Sequence, residues 1–137
     1  MKKIYDGLAL AAKGARDGAY SPYSGYTVGA ALLTGSGKIY LGSNVENASF
    51  SLTVCAERVA IFKAVTEGER DFKAIAIAGA RSGENVSAPF APCGSCRQVL
   101  AEFASPDTAV LVVREGGYDL YTLGELLPGS FGKKDLI

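Results

Sequence analysis

The 137-residue chain contains three cysteines and no histidine. The cysteines lie in two short clusters, Cys55-Ala56-Glu57-Arg58 and Pro92-Cys93-Gly94-Ser95-Cys96. An odd number of cysteines cannot form a closed set of intrachain disulfides. In a cytosolic chain such a cluster indicates a metal site or a reactive thiol instead.

The same cysteines favour zinc over other roles when they are taken together. Zinc takes four ligands, and a structural site normally fills all of them with protein groups. With three thiolates and no histidine, the fourth position is open unless a carboxylate closes it, which is the pattern of a catalytic site. We therefore predict that Cys55, Cys93 and Cys96 bind one catalytic Zn²⁺ ion.

Both clusters stand where helices are predicted to begin, and unpaired N–H groups at a helix start stabilise thiolates. Three thiolates give the metal much negative charge, and Arg58 and Arg97 are candidates to offset it. Glu57 follows Cys55 by two residues, close enough to share the metal-centred space without ligating. In a chain without histidine, Glu57 is the predicted proton carrier.

Each of these signals has a more ordinary explanation when it stands alone. A Cys-x-x-Cys pair such as Cys93/Cys96 is more often a redox pair or half of a structural zinc site. A single cysteine on a helix, as at Cys55, is usually a core residue, and Glu57 in a first helical turn usually compensates the dipole at the surface. The joint spacing is much more specific than any one of them.

Hydrophobic periodicity predicts an α/β protein with a mixed sheet covered by helices. The predicted order is α-β-β-α-β-α-β-β, ending in a short helical turn. The helices are predicted at about Lys3–Tyr20, Val54–Val65 and Ser95–Phe103, the strands at Val28–Leu33, Ile39–Leu41, Lys73–Ala80, Ala109–Arg114 and Tyr118–Thr122, and the turn at Leu123–Leu127.

Composition narrows the class of partner. Hydrophobic residues make up 48% and charged residues 20% of the chain, which suits one globular domain spanning residues 1–137. The 14 basic and 14 acidic residues cancel and are dispersed, which argues against a nucleic-acid partner. Neither a signal peptide nor a membrane-spanning segment is predicted, so we expect a cytoplasmic protein without a membrane partner.

Several further motifs extend over nearly the whole chain: Pro22-Tyr23-Ser24, Val28-Gly29-Ala30-Ala31-Leu32, Asn44-Val45-Glu46-Asn47-Ala48, Cys93-Gly94-Ser95-Cys96-Arg97-Gln98 and Glu125-Leu126-Leu127-Pro128. With Cys55-Ala56-Glu57, they make the chain resemble the small, homotetrameric, zinc-dependent type of cytidine deaminase. The resemblance implies a three-layer α/β/α cytidine deaminase-like fold with a mixed five-stranded sheet and one Zn²⁺ per subunit. It also implies hydrolytic deamination of cytidine and 2′-deoxycytidine to uridine and 2′-deoxyuridine in pyrimidine salvage, with Glu57 as the acid/base.

The resemblance further implies a substrate site. Asn44 and Glu46 would bind the ribose, chiefly its 3′-hydroxyl, with Val45 contributing only backbone. Tyr26 stands where the family usually has Phe and would pack against the nucleoside, and Phe131 would reach a neighbouring subunit's site. The alternatives are a plain loop with capping roles for Asn44 and Glu46, a partly buried strand aromatic for Tyr26, and a tail residue sealing its own core for Phe131.

Three rival functions stay open at this point. The same metal chemistry would serve another aminopyrimidine, such as a blasticidin-type nucleoside, or a base in nucleic acid. Three cysteines and a carboxylate could also close a structural zinc site in a protein that is not an enzyme. A redox pair at Cys93/Cys96 is the third, although it leaves Cys55 and Glu57 without a role.

Overall fold

The computed structural model describes residues 1–137 and contains one five-stranded mixed sheet with four α-helices. The strands run in the spatial order β2-β1-β3-β4-β5. Their bounds are Tyr26–Thr34 (β1), Ile39–Ser43 (β2), Phe72–Arg81 (β3), Ala109–Arg114 (β4) and Gly117–Thr122 (β5), and those of the helices are Lys2–Ala15 (α1), Ala56–Thr66 (α2), Gly94–Phe103 (α3) and Leu123–Leu126 (α4).

The predicted mixed sheet is confirmed by the strand pairing. Strand β1 is antiparallel to both of its neighbours, β2 and β3. The only parallel pair is β3 with β4, whose connection passes through α3, as expected for a crossover that needs a helix. Strand β5 then returns antiparallel along β4.

Helices cover both faces of the sheet, so the predicted three-layer α/β/α architecture is also confirmed. One face carries small side chains, among them Ala74, Ala76 and Ala78 of β3, on which α1 lies with Leu8 and Ala12. Larger side chains on the opposite face pack against α2 and α3. Small residues under α1 let that helix lie close to the sheet, while the bulkier face forms the main core.

The second helix begins later than the sequence pattern predicts. Val54 is still paired with Val45 in an isolated antiparallel bridge, and Cys55 is extended with φ −68° and ψ 153°. The helix therefore begins at Ala56, and Cys55 is its N-cap. The first helix likewise ends at Ala15, and a 3₁₀ turn follows in place of the predicted continuation to Tyr20.

Gly42 of β2 explains how closely α2 approaches the sheet. A Cβ at this position would collide with the carbonyl oxygen of Ala56 and the backbone nitrogen of Ala60. The absence of a side chain lets the first turns of α2 rest on β2, and this fixes the start of α2 relative to the sheet. None of the helices combines the length and apolar character required to cross a bilayer.

Candidate metal centre and active site

The three cysteines, distant in sequence, meet where two helices begin. Cys55 is the N-cap of α2, and Cys93 is the N-cap of α3. Cys96 lies in the first turn of α3, where its backbone N–H donates to the Cys93 sulfur at 3.4 Å. Both helices therefore direct their positive ends toward the thiol cluster, as the sequence predicted.

The sulfur atoms lie close enough together to bind one tetrahedral zinc ion. Two thiolates on a tetrahedral zinc, with Zn–S bonds of about 2.3 Å, lie about 3.8 Å apart. The sulfur of Cys93 lies 3.9 Å from that of Cys55 and 3.3 Å from that of Cys96, and all three lie within 4.8 Å of one another. All three cysteines are free thiols, and no fourth metal-binding side chain joins the group. The donor set thus fits zinc with an open position.

Glu57 is buried beside this cluster. Its side chain is 5% exposed, unusually low for a glutamate without a counter-ion. Burial raises the pKa of the Glu57 carboxyl, opposed in part by the backbone N–H of Glu57. Such a carboxyl holds a proton at higher pH than an exposed one, which suits a group that must both take and give a proton.

Arg58, and not Arg97, contacts the sulfurs. The Arg58 Nη2 donates to the sulfur of Cys55 at 3.4 Å, and its Nε is buried without a partner in the chain. A hydrogen bond from the Cys96 thiol, assisted by Arg58, lowers the pKa of Cys55 well below the usual value for a thiol. Arg97 instead donates to the carbonyl oxygens of Pro92 and Leu126, both at 2.8 Å. Arg97 therefore anchors the entry to α3 and does not offset charge at the cluster.

A cavity of about 450 Å³ opens directly onto the cluster and joins it to the predicted sugar loop. Its walls are largely apolar, with polar groups at both ends, which is typical of a small-molecule site. A larger open cavity of about 830 Å³ lies around Arg16 and Glu84 and contains none of the cysteines. The lining residues of the first are Ser24, Tyr26, Val28, Asn44, Glu46, Thr53, Cys55, Ala56, Glu57, Phe90, Ala91 and Cys93.

Asn44 and Glu46 both line the cavity, and both are held in place by the chain itself. The Asn44 amide accepts from the backbone N–H of Val28 at 2.9 Å and donates one N–H to the Tyr26 carbonyl at 3.0 Å. Glu46 accepts from the backbone N–H groups of Tyr23 and Ser24 and from the Ser24 hydroxyl. These bonds hold both side chains rigidly, while one Asn44 N–H and part of the carboxylate remain for a ligand.

Of the other three predicted substrate residues, one lines the cavity and two do not. Tyr26 lines the cavity, and its ring lies 6.0 Å from that of Phe90 and 5.1 Å from the Arg81 guanidinium carbon. Val45 is absent from the lining and pairs through its backbone with Val54. Phe131 is 60% exposed and lies apart from the cavity of its own chain, with its carbonyl oxygen accepting from Gln98.

Six lining residues were not predicted from the sequence: Ser24, Val28, Thr53, Ala56, Phe90 and Ala91. Ser24 belongs to the Pro22-Tyr23-Ser24 motif, but only the structure shows that its hydroxyl and backbone N–H donate to Glu46. Thr53 and Phe90 carry no sequence signal, because each lies in an irregular segment and reaches the cavity only through the folding of neighbouring strands.

Comparison with known proteins agrees with this geometry. The model of the cytidine and deoxycytidylate deaminase zinc-binding region matches residues 2–112. The cytidine deaminase of Sporosarcina psychrophila is 48% identical over 130 residues, covering 94% of this chain and 92% of that protein. The crystal structure of cytidine deaminase from Burkholderia pseudomallei superposes with a TM-score of 0.83 at 47% identity, covering 91% of this chain and 97% of that one.

A related antibiotic-modifying enzyme is also similar. The blasticidin-S deaminase of Bacillus cereus is 36% identical over 104 residues, which cover 74% of each chain. Its identity and coverage are both lower than those of the cytidine deaminase from Sporosarcina psychrophila.

The fold is a three-layer α/β/α architecture, and the starts of two helices bring three thiolates and a buried carboxylate together. These features define a zinc-dependent hydrolase of the deaminase class. Within that class, the chain belongs to the cytidine and deoxycytidylate deaminase family.

Proposed function

We propose that the protein hydrolyses the C4 amino group of free cytidine and 2′-deoxycytidine, giving uridine and 2′-deoxyuridine with release of ammonia in pyrimidine salvage. One observation carries the proposal. A single cavity holds the thiolate cluster and the buried Glu57 together with the fixed polar side chains Asn44 and Glu46. That arrangement suits a ligand with a reactive base at one end and a sugar at the other.

The metal ligands in this proposal are Cys55, Cys93 and Cys96. Zn²⁺ bound by these three thiolates would supply Lewis-acid activation of the water that attacks C4. Arg58 donates to Cys55 and adds positive charge beside an anionic ligand set. The two helix starts contribute further positive potential to the same sulfurs.

Glu57 moves the protons of the reaction. Its carboxylate takes one proton from the attacking water and delivers it to N3 of the cytosine ring. It then takes the second proton and delivers it to the exocyclic nitrogen, so that the C4–N4 bond breaks and ammonia leaves. The water oxygen ends as O4 of the product, and both water protons are accounted for. A buried carboxyl with a raised pKa suits both transfers.

The direct test is turnover of cytidine by the zinc-loaded protein, followed by the loss of its ultraviolet absorbance and by ammonia release. Cytidine, 2′-deoxycytidine, blasticidin S and single-stranded DNA form the substrate panel. We expect turnover of the first two. Activity confined to blasticidin S or to DNA would contradict the proposed substrate, while leaving the deaminase chemistry intact.

Glu46 supplies the sugar specificity in this proposal, and we expect Glu46→Gln to weaken it. A hydrogen bond to a charged group contributes about 1.5–3 kcal/mol, so loss of the carboxylate is expected to raise KM for cytidine about 10–150-fold. The measurement is kcat/KM for cytidine and for 3′-deoxycytidine. The wild type should prefer cytidine, and the variant should lose most of that preference. If the variant keeps the full preference, Glu46 does not bind the 3′-hydroxyl.

The active assembly is proposed to be a homotetramer of one catalytic domain, residues 1–137, in which Phe131 reaches a neighbouring subunit's site. Exposed apolar side chains on β2, on α2 and in the 3₁₀ turn before α2 support self-association: Ile39, Leu41, Phe50, Leu52 and Phe62. Sedimentation equilibrium should give four times the chain mass, and a monomer with full activity would refute the assembly. A cytoplasmic location stays a prediction.

A further inference from the structure

Phe90 lies at the edge of the active-site cavity in the segment between β3 and α3. It is three residues before the metal-binding Cys93, and 36% of it is exposed. Its ring centroid lies 6.0 Å from that of Tyr26, with 37° between the ring planes. Together the two rings form an aromatic wall along the cavity, and the proposed reaction makes no use of Phe90.

The Phe90 ring lies on Gly79. A Cβ built on Gly79 would lie 2.6 Å from Cγ of Phe90 and 2.9 Å from both Cδ atoms, so the ring covers the glycine face-on. Gly79 pairs with Val28, which also lines the cavity, and Arg81 pairs with Tyr26. The ring thus fills the position that a side chain at residue 79 would occupy on this face of the sheet.

We propose that Phe90 is a specificity-determining residue: its ring, seated on Gly79, limits the size of the substituent that a cytosine base can carry at C5. The inference rests on the proposed function, because it requires a cytosine nucleoside in this cavity.

The positions of α2 and of the segment before α3 indicate which edge of the cytosine ring each of them faces. Glu57 lines the cavity from α2, which packs over β1 and β2. In the proposed reaction it acts at N3. Phe90 and Cys93 line the cavity from the segment that leads into α3, and Phe90 lies against Gly79 of β3. With C4 at the thiolates and the sugar at Asn44, the pyrimidine presents its N3 edge to Glu57. Its C5–C6 edge then faces the segment that carries Phe90.

The test compares the wild type with Phe90→Ala, using cytidine and 5-methylcytidine. The measured quantity is the ratio of kcat/KM for 5-methylcytidine to kcat/KM for cytidine. The intrinsic reactivity of each nucleoside is the same for both proteins and cancels when the two ratios are compared. Room for one methyl group changes discrimination by about 10–200-fold, so we expect the ratio to rise at least about tenfold in Phe90→Ala.

Gly79→Ala provides a second, independent measurement. The added Cβ must displace the Phe90 ring, so we expect a higher KM for cytidine in the otherwise wild-type protein. In the Phe90→Ala background, where no ring is displaced, the same substitution should leave KM unchanged. This double-mutant cycle isolates the contact between the two residues. Phe90→Leu keeps apolar volume at the site and serves in place of Phe90→Ala if the alanine variant does not fold.

The outcomes are distinguishable. A raised ratio together with the expected cycle supports the inference. A wild type that turns over cytidine, with an unchanged ratio in the folded Phe90 variant, overturns this inference alone. A zinc-loaded wild type that does not turn over cytidine overturns the proposed function and this inference together.

Discussion

Replacing Glu57 by glutamine is expected to yield a folded protein that retains its zinc and turns over cytidine about 10²–10⁴-fold more slowly in kcat. Glutamine has almost the shape of glutamate, so it fits a site where the side chain is only 5% exposed. It cannot carry a proton between the attacking water, N3 and the leaving amino group. Because the amide is uncharged, it also avoids the free-energy cost of burying a carboxylate, and no loss of stability is expected.

Three measurements on the same preparation check this result: zinc content, melting temperature and the rate of loss of cytidine absorbance. Glu125→Gln is the matched control. Glu125 is also a glutamate in the first turn of a helix, where its carboxylate accepts from the N–H of Thr122 at 2.8 Å in a capping box. It lies outside the cavity, and glutamine can still accept that bond, so full activity is expected.

A different outcome would identify the rival function. If the carboxylate of Glu57 closed a structural zinc site, Glu57→Gln would lose metal or melt at a markedly lower temperature. The wild type would then show no turnover of any aminopyrimidine. The distinction is sharp because the catalytic role requires zinc content to be unchanged while kcat falls.

Much of the fold could be predicted because its signals are local. The apolar run from Lys73 to Ala80 indicated a buried strand, and the structure places β3 at Phe72–Arg81 in the centre of the sheet. The thiol cluster could be predicted because the two cysteine motifs carry their own spacing. Element boundaries were less predictable. Cys55 lies outside its helix because Val54 is held in a bridge to Val45, a contact that periodicity does not reveal.

The roles of the two arginines needed the helical geometry. Arg58 is three residues after Cys55, and side chains at this spacing at the start of a helix lie on the same side, so its guanidinium reaches the sulfur. Arg97 is one residue after Cys96 and points about 100° away around α3, toward Leu126. Phe90 could not be predicted at all, because its position depends on an absent side chain at Gly79, eleven residues earlier.

Loss of the metal is the second large effect we expect, and Cys96→Ser is the variant that tests it. Serine keeps the size of cysteine but is a far weaker zinc ligand at neutral pH. Cys96 is 1% exposed, so its surroundings offer no room for another group to replace the missing sulfur as a zinc ligand. We expect zinc content to fall from one ion per chain to near zero, with cytidine turnover below detection.

A chelator separates a lost ligand from a general folding defect. Metal that binds only the folded state raises the melting temperature, so chelation should lower it in the wild type. In Cys96→Ser there is no bound metal to remove, and the melting temperature should not respond. Ser95→Ala is the matched control, since this neighbouring position contributes no sulfur, and it should keep both zinc and the chelator response.

Zinc content and cytidine turnover of Arg58→Ala test whether Arg58 offsets the negative charge of the three thiolates. Arg58 does not ligate, but its contact with Cys55 adds positive charge beside three thiolates. Groups that support a metal ligand typically contribute 10–100-fold in metal affinity or activity, so a loss of about that size is expected. Unchanged zinc affinity and turnover would leave the helix starts as the only compensation for the thiolate charge.

A redox pair at Cys93/Cys96 predicts a different result for all of these variants. Thiol–disulfide exchange would then be independent of zinc and unaffected by substitution of either Cys55 or Arg58.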